Sequence, residues 1–193
     1  MPQQQELYAP MLMSLLNHVL NATIKIDDEE FKLSEVNSYK CIHEFEFDFN
    51  VDNFIPGDLN KLSNDEMLIE AKPSPIIEGI MNGKIDLFFE HKGKYYVLDW
   101  KSNYLGDTVS NYDKPALQNA MSENNYHLQY LIYSLAVKKY LESRLPNFNY
   151  KYQFGGVIYL FLRGMRDDLD TGIFTYKPQI STIANLDVRL TAV

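Results

Sequence analysis

Two aspartates and a lysine are spaced so that acidic and basic side chains meet on adjacent β-strands. Asp99 and Lys101 are one residue apart, and alternation along a strand places both on one face, with Trp100 on the other. The preceding strand-like segment contains Asp86, and a short glycine-containing link predicts a hairpin. If the hairpin is symmetric about Lys92-Gly93, Asp86 lies directly across from Asp99, with Cβ atoms about 4.5–5.5 Å apart.

This pair of acids predicts a metal-dependent hydrolytic site. Two carboxylates at this short distance repel each other and destabilise the sheet unless a positive charge, such as that of a divalent cation, neutralises them. Oxygen ligands on a partly open site suit Mg²⁺ better than zinc, with Mn²⁺ as a substitute, and the Trp100 backbone carbonyl is a further candidate ligand. Such a metal hydrolyses phosphodiesters by acting as a Lewis acid, while Lys101 stabilises charge on the phosphate or holds a water. A solvated strand face with surface ion pairs is the alternative interpretation of the same residue types.

Hydrophobic periodicity predicts the elements that position these residues. Helices are predicted at 6–20, about 63–71, from Pro115, at 125–144 and from about 179, and strands at 42–51, 83–90, 95–101, 154–162 and 173–176. The apolar run 154–162 is typical of a central strand buried on both faces. The sequence therefore predicts one α/β domain over residues 1–193, with a mixed central sheet flanked by helices.

Composition narrows the class of protein. The chain has 193 residues, 46% of them hydrophobic, which suits one domain with a substantial core. No apolar run approaches the ~20 residues of a membrane span, and the single cysteine, Cys41, cannot form an internal disulfide, so we expect a cytoplasmic protein. A net charge of −8 argues against a protein that holds nucleic acid by its overall field, and it is compatible with carboxylates that need cations.

Four longer stretches carry a family resemblance. They are Gly83–Phe88, Gly93–Asn103, the Q-x-x-x-Y segment Tyr126–Tyr133, and Phe154–Gly164. In this order they resemble the C-terminal nuclease domain of RecB, the beta subunit of exodeoxyribonuclease V, which is a member of the PD-(D/E)XK superfamily. The resemblance implies a restriction-endonuclease-like core.

The same resemblance assigns roles to individual residues. It implies that Asp86 and Asp99 are metal ligands and that Lys101 is the catalytic lysine. The position of Trp100, usually tyrosine in this family, would lend its carbonyl to the metal. Gln129 and Tyr133 would border the active site and touch the DNA, although aromatic packing against the sheet is an alternative role for Tyr133.

The function that the resemblance implies is that of a Mg²⁺-dependent exodeoxyribonuclease within a RecBCD-type helicase-nuclease. Its partners would be DNA and RecC-like and RecD-like subunits, and its roles double-strand-break repair and DNA degradation. The family's further ligand, a histidine in a G-x-x-x-H context, would fall before Met1, and none of the four histidines matches it. We therefore expect the C-terminal part of a larger protein, and weaker metal binding than in the parent.

Two alternative functions remain open from the sequence. The chain could be a catalytically weak or silent module that docks on partner subunits, or a stand-alone nuclease of the same superfamily acting on other nucleic acids. Arg163, at the end of the long apolar strand, is either a phosphate contact or an ion-pair partner of Asp167 or Asp168.

Overall fold

In the described part of the chain, five strands form the central sheet, and a short two-stranded hairpin packs on one face of it. The structure is a computed structural model that describes residues 2–64, 67–72 and 74–191, with only the backbone described for residues 2–7. The strands are β1 (Ile24–Ile26), β2 (Glu29–Phe31), β3 (Cys41–Phe54), β4 (Ile77–His91), β5 (Lys94–Lys101), β6 (Phe154–Phe161) and β7 (Ile173–Tyr176). The helices are α1 (Pro2–Asn21), α2 (Lys114–Glu123), α3 (Tyr126–Arg144), α4 (Tyr150–Gln153) and α5 (Ile180–Leu190).

The sheet is mixed, as the sequence predicted. Its strand order is β3-β4-β5-β6-β7, and β1 and β2 pair with each other in a separate two-stranded sheet. The pair β5–β6 is parallel, and the remaining neighbours are antiparallel. The parallel pair brings the carboxyl ends of β5 and β6 to one edge of the sheet, with Lys101 opposite Phe161.

The sheet separates two hydrophobic cores. One face packs against α2, α3 and α5 through residues such as Leu117, Leu131 and Ile183, and the other packs against α1 and the β1–β2 hairpin through residues such as Val19 and Ile24. Every residue of β6 is buried, which confirms the central strand inferred from its continuous apolar run. Helices therefore flank the sheet, and the predicted fold class is confirmed.

The β4–β5 hairpin has the symmetry that the sequence predicted. Lys92 and Gly93 have φ values of 51° and 80°, the left-handed conformation that a two-residue type I′ turn requires. His91 pairs with Lys94, and the ladder continues in register to Leu87 and Leu98. This turn fixes the register of the two strands that carry the candidate site.

Two local predictions were wrong, and one hairpin was not predicted. The β1–β2 hairpin has no counterpart among the predicted strands, and β4 begins at Ile77, six residues before the predicted strand. Residues 56–62 form a 3₁₀ helix, whereas the described part of the predicted helix at 63–71 is not helical; residues 65 and 66 lie outside the described residues. Side-chain hydrogen bonds explain the last difference, because the Ser63 hydroxyl bonds the backbone of Ile69 and so replaces helical bonding.

No helix in the described part of the chain has the length and apolar character needed to span a bilayer.

Candidate active site

Asp99 and Lys101 form a buried ion pair on the face of the sheet that α3 covers. Asp99 Oδ1 lies 2.5 Å from Lys101 Nζ, and the two residues are only 4% and 8% exposed. Trp100, between them, packs against the core of the opposite face. The alternation predicted for this strand is confirmed, and it directs one acid and one amine towards α3.

Asp86 lies at the point where the pairing of β4 and β5 ends. The register places it opposite Asp99, one position beyond the pair Leu87 and Leu98. Its Oδ2 accepts a hydrogen bond of 2.8 Å from the Trp100 amide, so the side chain occupies the place of a backbone ladder bond. The structure thus brings together all three residues of the predicted chemical cluster.

Burial and neighbouring charges shift the pKa of the Asp99 carboxyl in opposite directions. Burial raises its pKa above the ordinary value, the hydrogen bond and charge of Lys101 lower the pKa, and the charge of Asp86 raises it again. The result is a raised pKa, because burial outweighs the ion pair. A further positive charge beside Asp99 would favour its ionised form.

Two tyrosine rings enclose the Lys101 ammonium, and neither was singled out from the sequence. Nζ lies 3.8 Å from the ring centroid of Tyr126, at the start of α3, and 5.0 Å from that of Tyr159 on β6. Both distances are within the range of a cation–π contact. Tyr126 lies three residues before Gln129, one helical turn away, and that spacing is the one sequence signal that points to it.

Gln129 connects the lysine to two tyrosine hydroxyls. Its Oε1 accepts hydrogen bonds of 3.0 Å from both Lys101 Nζ and the Tyr159 hydroxyl, and its Nε2 donates to the Tyr133 hydroxyl at 3.0 Å. Tyr133 in turn donates to the Lys84 carbonyl at 2.9 Å. In this structure the Q-x-x-x-Y pair fixes Lys101 relative to α3, and its contact with DNA stays a prediction.

Burial raises the pKa of both phenols in this network even further above neutral pH. It raises the pKa of Tyr133 to about 12, with the charge of Asp99 acting in the same direction, and it raises the pKa of Tyr159 well above its ordinary value. At neutral pH both hydroxyls are therefore available as donors, as the hydrogen-bond pattern around Gln129 requires.

Three side chains donate hydrogen bonds to the two residues that follow Lys101. Arg163 Nε donates to the Ser102 carbonyl at 3.0 Å, and the hydroxyls of Tyr126 and Tyr112 donate to the side chain and carbonyl of Asn103 at 3.2 and 3.3 Å. Tyr112 packs directly on Gly164, where an added Cβ would approach its ring to 2.2 Å. The glycine after Arg163 therefore allows the tyrosine that anchors this segment.

The donor set suits a hard cation that keeps several water ligands. Asp86 and Asp99 supply carboxylate oxygens, and Mg²⁺ is often bound through only one or two carboxylates. Among residues 2–64, 67–72 and 74–191, no group of three or more histidine, cysteine or acidic side chains is placed to hold a metal. His18, the histidine nearest the start of the chain, instead lies 2.7 Å from Asp167.

The sequence of this chain is similar to those of several known proteins. No family model matches the chain. It is 36% identical to RecB of Escherichia coli, named as a subunit of the RecBCD enzyme, over 186 residues that make up 93% of this chain and 16% of that protein. It is 34% identical to RecB of Buchnera aphidicola over 91% of this chain and 15% of that protein.

A third relative is more similar over a shorter stretch. RecB of Haemophilus influenzae is 48% identical over 111 residues, which are 58% of this chain and 9% of that protein. The chain thus spans about a sixth or less of the length of these relatives. The resemblance found in the motifs is confirmed: this chain is related to the RecB subunit over more than nine-tenths of its own length.

Proposed function

We propose that this chain is a Mg²⁺-dependent deoxyribonuclease domain that hydrolyses DNA phosphodiester bonds. The observation that carries the proposal is the convergence of Asp86, Asp99 and Lys101 at one sheet edge, where two acids and a buried ammonium lie within one hairpin. Packing alone does not require this arrangement, because apolar residues of similar volume often stabilise a core as well as a buried ion pair does. The relation to RecB supports the same conclusion.

Asp86, Asp99 and the Trp100 carbonyl would hold the metal. Bound there, Mg²⁺ would supply Lewis-acid polarisation of a phosphate oxygen and lower the pKa of a water, and Mn²⁺ would substitute for it. The Trp100 amide orients the Asp86 carboxylate through its hydrogen bond, so this ligand is fixed before any ion arrives.

Lys101 stabilises negative charge that develops on the phosphate during hydrolysis. Gln129 and the rings of Tyr126 and Tyr159 hold its ammonium, so little reorganisation is needed when the substrate binds. Asp99 pairs with the same ammonium and keeps it beside the carboxylates. We place Gln129 and Tyr133 at the border of the site, where they position Lys101 and face the DNA strand.

In the whole protein this domain would act as the nuclease portion of a RecBCD-type helicase-nuclease. The relatives are named as RecB subunits of the RecBCD enzyme, and the chain matches 9% to 16% of their length. We therefore propose a C-terminal domain of a larger subunit, with RecC-like and RecD-like partners and a role in double-strand-break repair and DNA degradation. A motor that delivers the strand would offset the net charge of −8.

A docking role is the second candidate, and one feature favours it. The outer face of α1 exposes large apolar side chains to an extent that is unusual for an isolated surface. These side chains are Tyr8, Leu12, Met13, Leu16 and Leu20. A domain that is catalytically inactive in isolation would still bind a partner subunit through this face of α1.

Cleavage of linear single-stranded DNA with Mg²⁺ tests the nuclease proposal. We expect the wild-type chain to cleave, and Asp99→Ala and Lys101→Ala to lose about 10³-fold or more in rate. The first change removes a proposed metal ligand, and the second removes the ammonium that stabilises charge on the phosphate. Lys139→Ala is the matched control, since Lys139 also pairs with an aspartate, Asp187, at 2.6 Å but lies away from the site. Activity that survives both site substitutions would overturn the proposal.

A further inference from the structure

A cleft of about 470 Å³ lies between α1 and the segment that follows β6. Its apolar wall includes Met11, Leu15 and Leu162, and its polar wall includes Ser14, Arg163 and Arg166. The volume is within the range of sites that hold a small organic group. One wall that is apolar and one that carries two guanidinium groups suit a ligand with a flat apolar part and an anionic part.

The two arginines of the cleft form no ion pair with any residue in the described ranges, although the chain has 26 acidic residues against 18 basic ones. Arg163 donates through Nε to the Ser102 carbonyl, and Arg166 donates through Nη1 to the Met165 carbonyl at 2.6 Å. The neighbouring carboxylate of Asp167 is bonded by His18 instead, which lowers the pKa of that aspartate. Arg163 forms no ion pair with Asp167 or Asp168 in the described part of the chain, so the predicted ion pair is wrong.

The cleft is next to the candidate active site. Arg163 bonds the carbonyl of Ser102, the residue that directly follows Lys101. The parallel strands β5 and β6 end together at this sheet edge, where Lys101 pairs with Phe161, two residues before Arg163. The α3 face of that edge carries the acids and the lysine, and the α1 face carries the cleft. A polymer that crosses the edge would meet both.

We infer that this cleft is a second binding site for single-stranded DNA, with a phosphodiester on Arg163 and Arg166 and an adjoining base against Met11 and Leu162. The choice of ligand rests on the proposed function. Arginine binds phosphate oxygens through paired donors, and bases pack on apolar surfaces without sequence preference. The site anchors the strand beside the scissile bond and gives the acidic domain a local attraction that its overall charge does not provide.

Fluorescence anisotropy with a labelled twelve-residue oligo-dT, in EDTA to prevent cleavage, tests the inference. We expect Arg166→Gln to bind about tenfold more weakly than the wild type, as loss of a charged hydrogen bond implies. The slope of log affinity against log salt should also fall by about 0.7, the value for one phosphate contact on a single strand. Arg144→Gln, with the same charge change at the exposed end of α3, is the control and should bind like the wild type.

A second pair of variants leaves both arginines in place. Met11→Glu puts a negative charge in the cleft, and Met13→Glu puts the same charge on α1 outside it; the two methionines are 63% and 66% exposed, so neither change disturbs the core. We expect binding to weaken about tenfold in Met11→Glu alone. The inference is overturned if Met11→Glu and Met13→Glu bind equally, if Arg166→Gln behaves like Arg144→Gln, or if the wild-type chain shows no binding at 0.1 M salt.

Measuring both DNA binding in EDTA and DNA cleavage with Mg²⁺ on these proteins tests the binding site and the nuclease activity independently. Wild-type protein that binds through the cleft in EDTA but does not cleave with Mg²⁺ would refute the nuclease and leave the binding site standing. Protein that cleaves, with Arg166→Gln and Met11→Glu binding normally, would refute the binding site and leave the nuclease standing.

Discussion

Two buried polar clusters lie along the same helix, α3, and they differ in charge. Around Gln129, the ion pair of Asp99 and Lys101 is enclosed by hydrogen bonds and tyrosine rings. Two residues earlier, His127 is completely buried, with its ring nitrogens 3.1 Å from the Tyr130 hydroxyl and 3.3 Å from the Ser122 hydroxyl. One cluster holds opposite charges beside a sheet edge, and the other holds a ring whose pKa burial lowers to about 4.

The difference separates a functional cluster from a structural one. A neutral imidazole with two partners is satisfied by its neighbours, and it serves the core. Two carboxylates and an ammonium at a strand end are not needed for packing, since apolar residues of similar volume would be equally stable. A buried polar group is therefore not a site by itself, and the presence of charges near a sheet edge is the distinguishing feature.

Among the residues that surround the ion pair of Asp99 and Lys101, replacement of Gln129 should have the largest effect on cleavage. In Gln129→Leu, the buried Lys101 ammonium and Tyr159 hydroxyl each lose a hydrogen-bond partner, so we expect DNA cleavage to slow about 100-fold. The loss should be larger in kcat than in KM for the DNA, because both lost hydrogen bonds involve Gln129 Oε1 and one of them holds Lys101. Gln153→Leu, which removes a glutamine that accepts from the Asn149 amide, is the control. A Gln129→Leu enzyme that cleaves at the wild-type rate would show that Lys101 needs no such support.

The neutral cluster should govern stability in acid. The folded-state pKa of His127 is about 4, below the ordinary value of 6.5, so only the unfolded chain takes up a proton between these values. This contribution to stability is complete above pH 6.5 and is lost as the pH falls towards 4, by about 3 kcal/mol in the free energy of unfolding. Urea titrations at pH 7 and pH 4 should show a smaller pH-dependent loss in His127→Gln than in the wild type.

The exposed His43 provides the control for that prediction, because His43→Gln removes an imidazole that is not buried. His43→Gln should lose as much stability in acid as the wild type does. If His127→Gln and His43→Gln show the same pH dependence, the buried imidazole is not the source of the acid sensitivity. Cleavage at neutral pH should be unchanged in both variants, in contrast to Gln129→Leu.

Removal of the Tyr126 ring over Lys101 should have an intermediate effect on the cleavage rate. Tyr126→Leu removes the cation–π contact and should slow cleavage about tenfold, whereas Tyr126→Phe keeps the ring and should retain most of the activity. Nuclear magnetic resonance gives a readout that does not depend on activity, because the ring current of Tyr126 shifts the Lys101 methylene protons nearest the ammonium. That shift should persist in Tyr126→Phe and disappear in Tyr126→Leu. Equal spectra for the two variants would contradict the proposed contact.

Substitution of the acidic residues on β3 should have the smallest effect on cleavage and stability. Glu44 and Glu46 pair with Lys84 at 3.3 and 3.2 Å, and all three side chains are exposed, as expected of a solvated strand face. Glu46→Gln should leave both the cleavage rate and the melting temperature within experimental error. A marked loss of cleavage in this variant would show that the active site includes β3, and the charges beside α3 would then not be what distinguishes the functional cluster.

The parts of the site that could be predicted are those that depend on one hairpin. Strand alternation placed Asp99 and Lys101 on one face, and the Lys92–Gly93 turn set Asp86 opposite Asp99. Both rules are local, so the sequence is sufficient for them. The same reasoning identified β6, because a continuous apolar run of this length is typical of a strand that is buried on both faces.

The contacts between distant elements could not be predicted in this way. Gln129 meets Lys101 and Tyr159 only after α3 packs on the sheet, and nothing in their sequence spacing reveals the distance. The segment after β3 was mispredicted for a related reason, since the side chain of Asn60 bonds the backbone of Ala71 and replaces helical bonds. Tertiary context determines such details.

Metal binding tests the central claim most directly, since it does not require turnover. Titration with Mn²⁺, followed by electron paramagnetic resonance, should show an ion bound to the wild-type chain, and Asp86→Asn and Asp99→Asn should each weaken its binding about tenfold or more. Asp48→Asn, which removes an exposed acid on β3, should leave it unchanged. If either site variant binds Mn²⁺ as well as the wild type does, Asp86 and Asp99 do not hold an ion jointly, and the proposed active site is wrong.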